Sequence, residues 1–347
     1  MNENARRVLA LGVSVGLVGL ALFIRGRDDD GGGGGSGGGD GDGTTLVCPP
    51  ELADVCDRFE DDYTVRVEDA VVTADALTAA RTADAVDADV WLVPRSWAEA
   101  VSAARELANQ PAVLGEASAT IARSPVVLVV QENRAEALAT SGACGGEIGW
   151  QCVGDVAAGP WTAAGGQANW GPVKAGIARP AAGPGLVALG AAAADYLDDA
   201  GYASNDFDGG LDNWLSRLAA EARTADRPDA VDAMITGGPG LLAVLGTVEA
   251  DADRALESDR VQVVVPEPIV TADLVAVPVT DEGDDSDAAP DLADDDALRD
   301  ALAAAGWRVD GRDLAEGLDA DVELPDDPGI PRGDVLRVLL QRWQQLV

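Results

Sequence analysis

The chain has 347 residues with 24 Lys/Arg against 61 Asp/Glu and no histidine, a formal charge of −37. Lys174 is its one lysine, so nucleic acid and anionic membrane surfaces, which need cationic patches, are poor partners. Without histidine, Ser-His-Asp and Cys-His catalysis are excluded, and carboxylates are too abundant for a chance pair to carry information. No enzymatic activity and no cofactor are expected.

Two arginines in Met1–Arg7 precede Val8–Ile24, an apolar run interrupted only by Ser14, and Arg25 and Arg27 close it. At about 1.5 Å per residue, the run approaches the hydrocarbon thickness of a bilayer. No small-residue cleavage site and no lipid-accepting cysteine lie near Ile24–Asp30. Residues 1–27 therefore read as an uncleaved signal anchor, a transmembrane helix, rather than a cleaved signal peptide. Arginines at both ends leave orientation to other evidence. All four cysteines (Cys48, Cys56, Cys144, Cys152) follow the apolar run, and an even count beyond an export signal points to disulfides in an extracellular body. Zinc is disfavoured by the lack of histidine and of any C-x-x-C, so no metal is expected. Gly145–Gln151 is glycine-rich enough to close a Cys144–Cys152 loop. An unbroken helix after Pro49 would hold Cys48 and Cys56 about 12 Å apart along its axis, so the chain bends there or the pairing differs. Three connectivities stay open.

Asp28–Gly43 is a low-complexity Gly/Asp linker (28–43), with a mean reach of roughly 20–25 Å. Beyond it, strands and helices alternate. Strands are expected at Thr45–Val47, Thr64–Val67, Asp89–Val93, Val126–Gln131, Ala175–Ala178, Val244–Val248, Val261–Val265 and Asp273–Val279. Helices are expected at Leu52–Phe59, near Asp75–Thr82, and at Ser96–Ala108, Gly185–Leu197, Leu211–Ala222, Ala230–Ile235, Asp294–Ala305 and Asp334–Leu346. The last carries Leu336, Leu339, Leu340 and Trp343 on one face. The acidic run Asp281–Asp287 reads as a solvated loop. This alternation argues an α/β class with mainly parallel sheets.

Three turns stand where strands end or helices begin, places that present backbone N–H groups to a polar ligand: Cys48–Glu51, Arg179–Gly185 and Thr236–Gly240. Each alone reads first as a simple turn or cap, and only their order together points to a ligand. Trp161, Gly165, Gly166, Trp170 and Lys174 form another concentration, in which the tryptophans either stack on a ligand or pin their own loop.

Taken in order, Leu46-Val47-Cys48-Pro49-Pro50-Glu51-Leu52-Ala53, Asp89-Val90-Trp91-Leu92-Val93-Pro94, Ile121–Val130, Trp170–Lys174 through Gly183-Pro184-Gly185, and Asp273–Val277 resemble extracellular solute-binding proteins. The resemblance is to the type 2 periplasmic-binding superfamily, in particular its actinobacterial molybdate/sulfate-like branch. It implies two α/β lobes joined by two crossover strands, with lobe I formed by 44–123 and 265–347 and lobe II by 124–264. It also implies a small-molecule ligand in the cleft, held by Pro49, Pro50, Glu51, Thr73, Arg95, Ser96, Ser124, Gly183, Gly185, Thr236, Gly237 and Gly238. A chain of this kind would serve ABC-transporter membrane subunits or another surface protein from the outer face of the cell membrane. Since a bond between lobes would staple the hinge, the resemblance favours Cys48–Cys56 and Cys144–Cys152. Two departures argue against tight oxyanion binding. Cys48-Pro49-Pro50 stands where a serine is common, with no N–H on the prolines, and Arg179-Pro180 replaces the usual Asp-Pro. The alternative is a surface adaptor or assembly protein that uses the same fold for protein contact without a ligand.

Overall fold

The computed structural model describes residues 43–140, 142, 144–281 and 288–347. The expected membrane helix, the linker up to residue 42 and the acidic run from 282 to 287 lie outside the described residues. Among the described residues no helix is long and apolar enough to cross a membrane.

The strands are β1 (Thr45–Cys48), β2 (Thr64–Val67), β3 (Val90–Pro94), β4 (Ala122–Gln131), β5 (Ala175–Ile177), β6 (Val244–Val248), β7 (Val261–Val264) and β8 (Thr271–Pro278). The helices begin with α1 (Ala53–Cys56), α2 (Ala70–Ala79), α3 (Arg95–Leu107), α4 (Glu132–Thr140), α5 (Trp150–Val156), α6 (Gly185–Leu197) and α7 (Gly209–Ala219). They continue with α8 (Ala222–Ala225), α9 (Ala230–Gly237), α10 (Asp253–Leu256), α11 (Ala288–Ala293), α12 (Asp296–Ala304) and α13 (Gly333–Leu346).

The sheet order is β2-β1-β3-β8-β4-β6-β5, with β7 also on β4. The strand β4 makes the structure two-lobed. Its first residues, Ala122–Pro125, pair with β8, and from Val126 onward it pairs with β6 and β7. Ten residues of strand span about 33 Å, long enough to leave one sheet and enter another. The second passage between sheets runs from β7 to β8 through Pro266 and the cis Pro268.

The expectation of mainly parallel sheets is corrected. β1–β2, β1–β3 and β5–β6 are parallel, whereas β3–β8, β4–β6, β4–β7 and β4–β8 are antiparallel. Full burial of Val126–Gln131 comes from being covered on both faces, which an antiparallel central strand also achieves; an apolar run does not encode strand direction.

Other boundaries moved for local reasons. The stretch expected as one helix over Leu52–Phe59 is a 3₁₀ turn (Pro50–Leu52), the single turn α1 and a second 3₁₀ turn (Asp57–Phe59). That break brings the Cα atoms of Cys48 and Cys56 to 6.7 Å and lets them bond, and Cys144 bonds Cys152. The helix expected near Asp75–Thr82 begins five residues earlier, where Ala70 and Val71 donate to Ala182 and Ala181 carbonyls.

The core explains the alanine-rich stretch. From Gly185 to Ala194 every residue of α6 is buried, since small side chains let a helix be covered on all sides. α13 packs its Val335, Leu336, Leu339, Leu340 and Trp343 inward, over α3, α6 and α7. A Cβ at Gly190 would stand 2.7 Å from Leu336 Cδ2, and one at Gly333 only 2.0 Å from the Ser96 carbonyl. The C-terminal helix is therefore seated on elements that precede β4 and on elements that follow it.

Gly333→Ala should lower stability by about 1–3 kcal/mol through forced separation of α13 from α3, and Leu336→Ala by about 2–5 kcal/mol through a cavity. Urea unfolding followed by circular dichroism measures both, and a midpoint unchanged for either substitution would contradict this seating.

Candidate functional site

A groove with a volume of 560 Å³ opens beyond the ends of β1, β5 and β6. Pro50, Glu51, Asp54, Val55 and Arg58 form one wall. Ala178, Arg179, Gly185 and the segment from Arg227 to Asp232 form another, with Leu245, Thr247, Ala250, Asp251 and Asp253, and Ala304 and Ala305 complete it. Crevices at the carboxyl ends of strands are where α/β sheets bind ligands.

Local sequence builds each wall. β1 ends in Cys48-Pro49-Pro50, and proline removes the N–H groups that would otherwise face the groove. The 3₁₀ turn closes with Leu52 N donating to Pro49 O at 2.9 Å and sets Glu51 on the wall. On the other side, Arg179 follows β5 with a positive φ of 38°. Gly185 opens α6 where a Cβ would lie 2.1 Å from the Ala178 carbonyl oxygen, so only glycine lets helix and strand end approach.

Arg179 then reaches across. Its Nη1 donates to Glu51 Oε1 at 3.0 Å and its Nη2 to Asp69 Oδ1 at 2.8 Å. Alongside, Trp97 Nε1 donates to Gly183 O at 2.8 Å. The guanidinium is outnumbered. Burial raises the Glu51 carboxyl above its ordinary range, with Arg179 opposing and Asp69 adding to the rise. Burial and the Glu51 charge push Asp251 well above its usual value, against a 3.4 Å hydrogen bond from Thr247 Oγ1. Asp226 is likewise raised by burial while Arg179 holds it down. One cation thus serves four carboxylates from four different segments. Glu51 Oε2, beside Gly183, has no hydrogen-bond partner.

Of the residues implied by the family resemblance, Pro50, Glu51 and Gly185 line this groove, and Gly183 stands behind Glu51. Arg95 and Ser96 line a smaller 150 Å³ pocket with Glu99 and Asp273, and Arg95 also donates to the Ser118 carbonyl at 3.2 Å. Thr73 is buried with its hydroxyl unpartnered. Ser124 is fully buried and accepts from Ala250 N at 3.0 Å, tying β4 to the turn after β6. Thr236, Gly237 and Gly238 line neither pocket; Thr236 Oγ1 donates back to Asp232 O and Gly238, at φ 69°, ends α9. Trp161 and Trp170 meet edge to face at 5.4 Å with Arg134 stacked 3.5 Å over Trp170, so they clasp their own loop. Lys174 pairs with Glu221.

Sequence reasoning passed over Asp69, Thr247 and Asp251. Asp251 carried a usable signal, three residues past the end of β6, where a groove residue is expected. Also unforeseen is Glu249, which takes the Arg308 guanidinium in a two-pronged pair at 2.7 and 3.0 Å, while the Arg308 backbone pairs with Arg123 on β4. Among the described residues no group of three His, Cys, Asp or Glu side chains is arranged to hold a metal ion.

No family model matches the chain, and no curated protein matches it. Solved structures do. A periplasmic binding protein from Actinobacillus pleuropneumoniae with fructose-6-phosphate bound superposes with a TM-score of 0.56 at 14% identity, over 88% of this chain and 98% of its own. A ferric binding protein from Campylobacter jejuni gives 0.55 at 9% identity, covering 87% and 99%. A periplasmic thiamin binding protein gives 0.53 at 13%, covering 88% and 96%. The chain has the two-lobe α/β fold of periplasmic binding proteins. These neighbours give no support to the narrower molybdate/sulfate-like affinity.

Because Glu51 and Asp251 carry raised values, the folded chain holds their protons more tightly than the unfolded one. Their contribution is most favourable in acid and is lost as pH rises through the raised values. Between about pH 4 and pH 8 the melting temperature of the parent should therefore fall relative to a Glu51→Gln/Asp251→Asn variant; parallel curves would refute the assignment. Arg179→Met strands two carboxylates and should cost about 3–5 kcal/mol, part of it recovered when Glu51→Gln is added. Chemical denaturation of the single and double variants reads this coupling.

Proposed function

We propose that this chain is a non-enzymatic solute-binding protein that captures a small molecule in the groove beside Glu51 and Arg179. It is held at the outer face of the cell membrane by residues 1–27 and the 28–43 leash, and it serves a transporter or a sensor. Lobe I is 44–123 with 265–347, and lobe II is 124–264. The observation that carries the reading is one groove of 560 Å³ walled from both sides of the β4 crossing, a size suited to a small ligand. Ligand contacts to both walls favour the closed arrangement over the open one by the difference in affinity for the two. The prolines at the end of β1 disfavour an oxyanion.

The contacts that already span the groove favour a second reading, an adaptor that uses a permanently closed form of the fold. Opening must break both Arg179 ion pairs and the Trp97–Gly183 hydrogen bond and must slide α13 over a helix on either side. A thermal-shift screen of metabolites and oxyanions separates the two. Capture predicts at least one compound that raises the melting temperature with concentration, as mass action requires, together with a smaller radius of gyration in solution scattering. No stabilising compound and an unchanged radius would remove the capture reading and leave the adaptor.

A further inference from the structure

We propose that the pocket at the C-terminal end of α13 is a second small-molecule site, separate from the groove, and that it takes an α-amino acid with a large apolar side chain. This pocket is additional to solute capture in the groove and independent of it.

The pocket has a volume of 310 Å³, enough for one small molecule. It lies where the end of β5, the single turn α8 and the last turns of α13 meet, and it shares no lining residue with the groove. The chain around β5 serves both: Ala178 and Arg179 line the groove, while Ile177, Pro180 and Ala181 line this pocket. Leu340 and Trp343 of α13 complete an apolar wall. A wall of this kind accepts a hydrocarbon or aromatic side chain and releases the water lying on it.

The rim carries one charge of each sign. Arg223 and Asp226 stand three residues apart, and Asp226 N donates to Ala222 O at 2.7 Å, so one helical turn runs through both and sets them on one face. Among the described residues neither side chain makes a hydrogen bond or an ion pair, and Arg179 attracts Asp226 without pairing with it. Gln344 adds an amide donor and acceptor from α13.

This pair of charges selects the ligand. An anion would meet Arg223 with Asp226 opposing it, and a cation would meet Asp226 with Arg223 opposing it. An uncharged apolar molecule would take water from both charges and return nothing. A carboxylate and an ammonium on one carbon answer both, through charge-assisted hydrogen bonds to the guanidinium and to the Asp226 carboxylate. The side chain on that same carbon is then free to lie on the apolar wall.

Isothermal titration calorimetry of the full chain with L-phenylalanine tests the site, at about 0.15 M salt to screen diffuse attraction. The companion probes are phenethylamine, which lacks the carboxylate, 3-phenylpropionate, which lacks the ammonium, and glycine, which lacks the side chain. L-Phenylalanine should bind at one site about tenfold or more tightly than each of them, as expected when a charge-assisted hydrogen bond or a buried apolar side chain is missing. Arg223→Gln should erase the preference over phenethylamine, with Arg223→Lys retaining part of it, and Asp226→Asn should erase the preference over 3-phenylpropionate. Both positions are exposed, and if one variant fails to fold by circular dichroism the other still decides. Any companion probe binding as tightly as phenylalanine would overturn the ligand class. Phenylalanine binding that survives both rim substitutions, or that is lost with Glu51→Gln and with neither of them, would place the amino acid elsewhere and overturn the site. No binding of phenylalanine at millimolar concentration would overturn both, and capture in the groove would still stand or fall by its own thermal-shift screen.

Discussion

The antiparallel register between β4 and β8 is the constraint on which the rest of this structure depends. Ala122–Pro125 of β4 lie against Thr271–Leu274 of β8, and beyond Pro125 the same strand belongs to a different set of partners. Everything on either side is positioned by that exchange. Ser124, at the exchange point, receives the N–H of Ala250 and so fixes the turn that carries Glu249 and Asp251. Arg308 then ties that turn back to β4 through its pair with Glu249 and its backbone pairing with Arg123. The groove wall around Asp251 is thus held from the crossing outward.

The opposite wall has a different origin. Two prolines end β1 without offering donors, and the chain answers with a carboxylate in place of N–H groups. That carboxylate survives burial because Arg179 reaches it, and Arg179 can reach it only because Gly185 lets α6 start against the backbone of Ala178 and Arg179. The result is a groove whose charge is unbalanced by construction. Loss of water raises the affinity for protons at Glu51, Asp251 and Asp226, and repulsion among carboxylates that a single guanidinium does not neutralise adds to it.

Much of the architecture was legible in the chain itself. The limits of Gly185–Leu197 and Val244–Val248 follow from composition and flanking turns, and the structure agrees with both to the residue. The face of α13 is readable as Leu336, Leu339, Leu340 and Trp343, because helical periodicity and burial obey the same spacing. Short helices such as Glu132–Thr140 and Trp150–Val156 escaped, since polar or glycine-bearing segments of two turns have no periodicity to display. The tryptophan pair was ambiguous for a related reason: aromatic residues among glycines say that something is packed, and only the position of Arg134 says what.

By itself the sequence determined the class of the elements, the exclusion of histidine- and thiol-based chemistry, and the strand–turn–helix order shared with periplasmic binding proteins. Each of these is set by local composition or by spacing along the chain. Tertiary structure alone decided strand direction, the division of the implied ligand residues between a 560 Å³ groove and a smaller pocket, and the meeting of Glu51, Asp69, Arg179 and Asp251. Those are relations between segments as many as 200 residues apart. A chain so rich in Asp and Glu gives no sequence mark to the few carboxylates that folding drives together, because their energies differ only once water has been removed from around them.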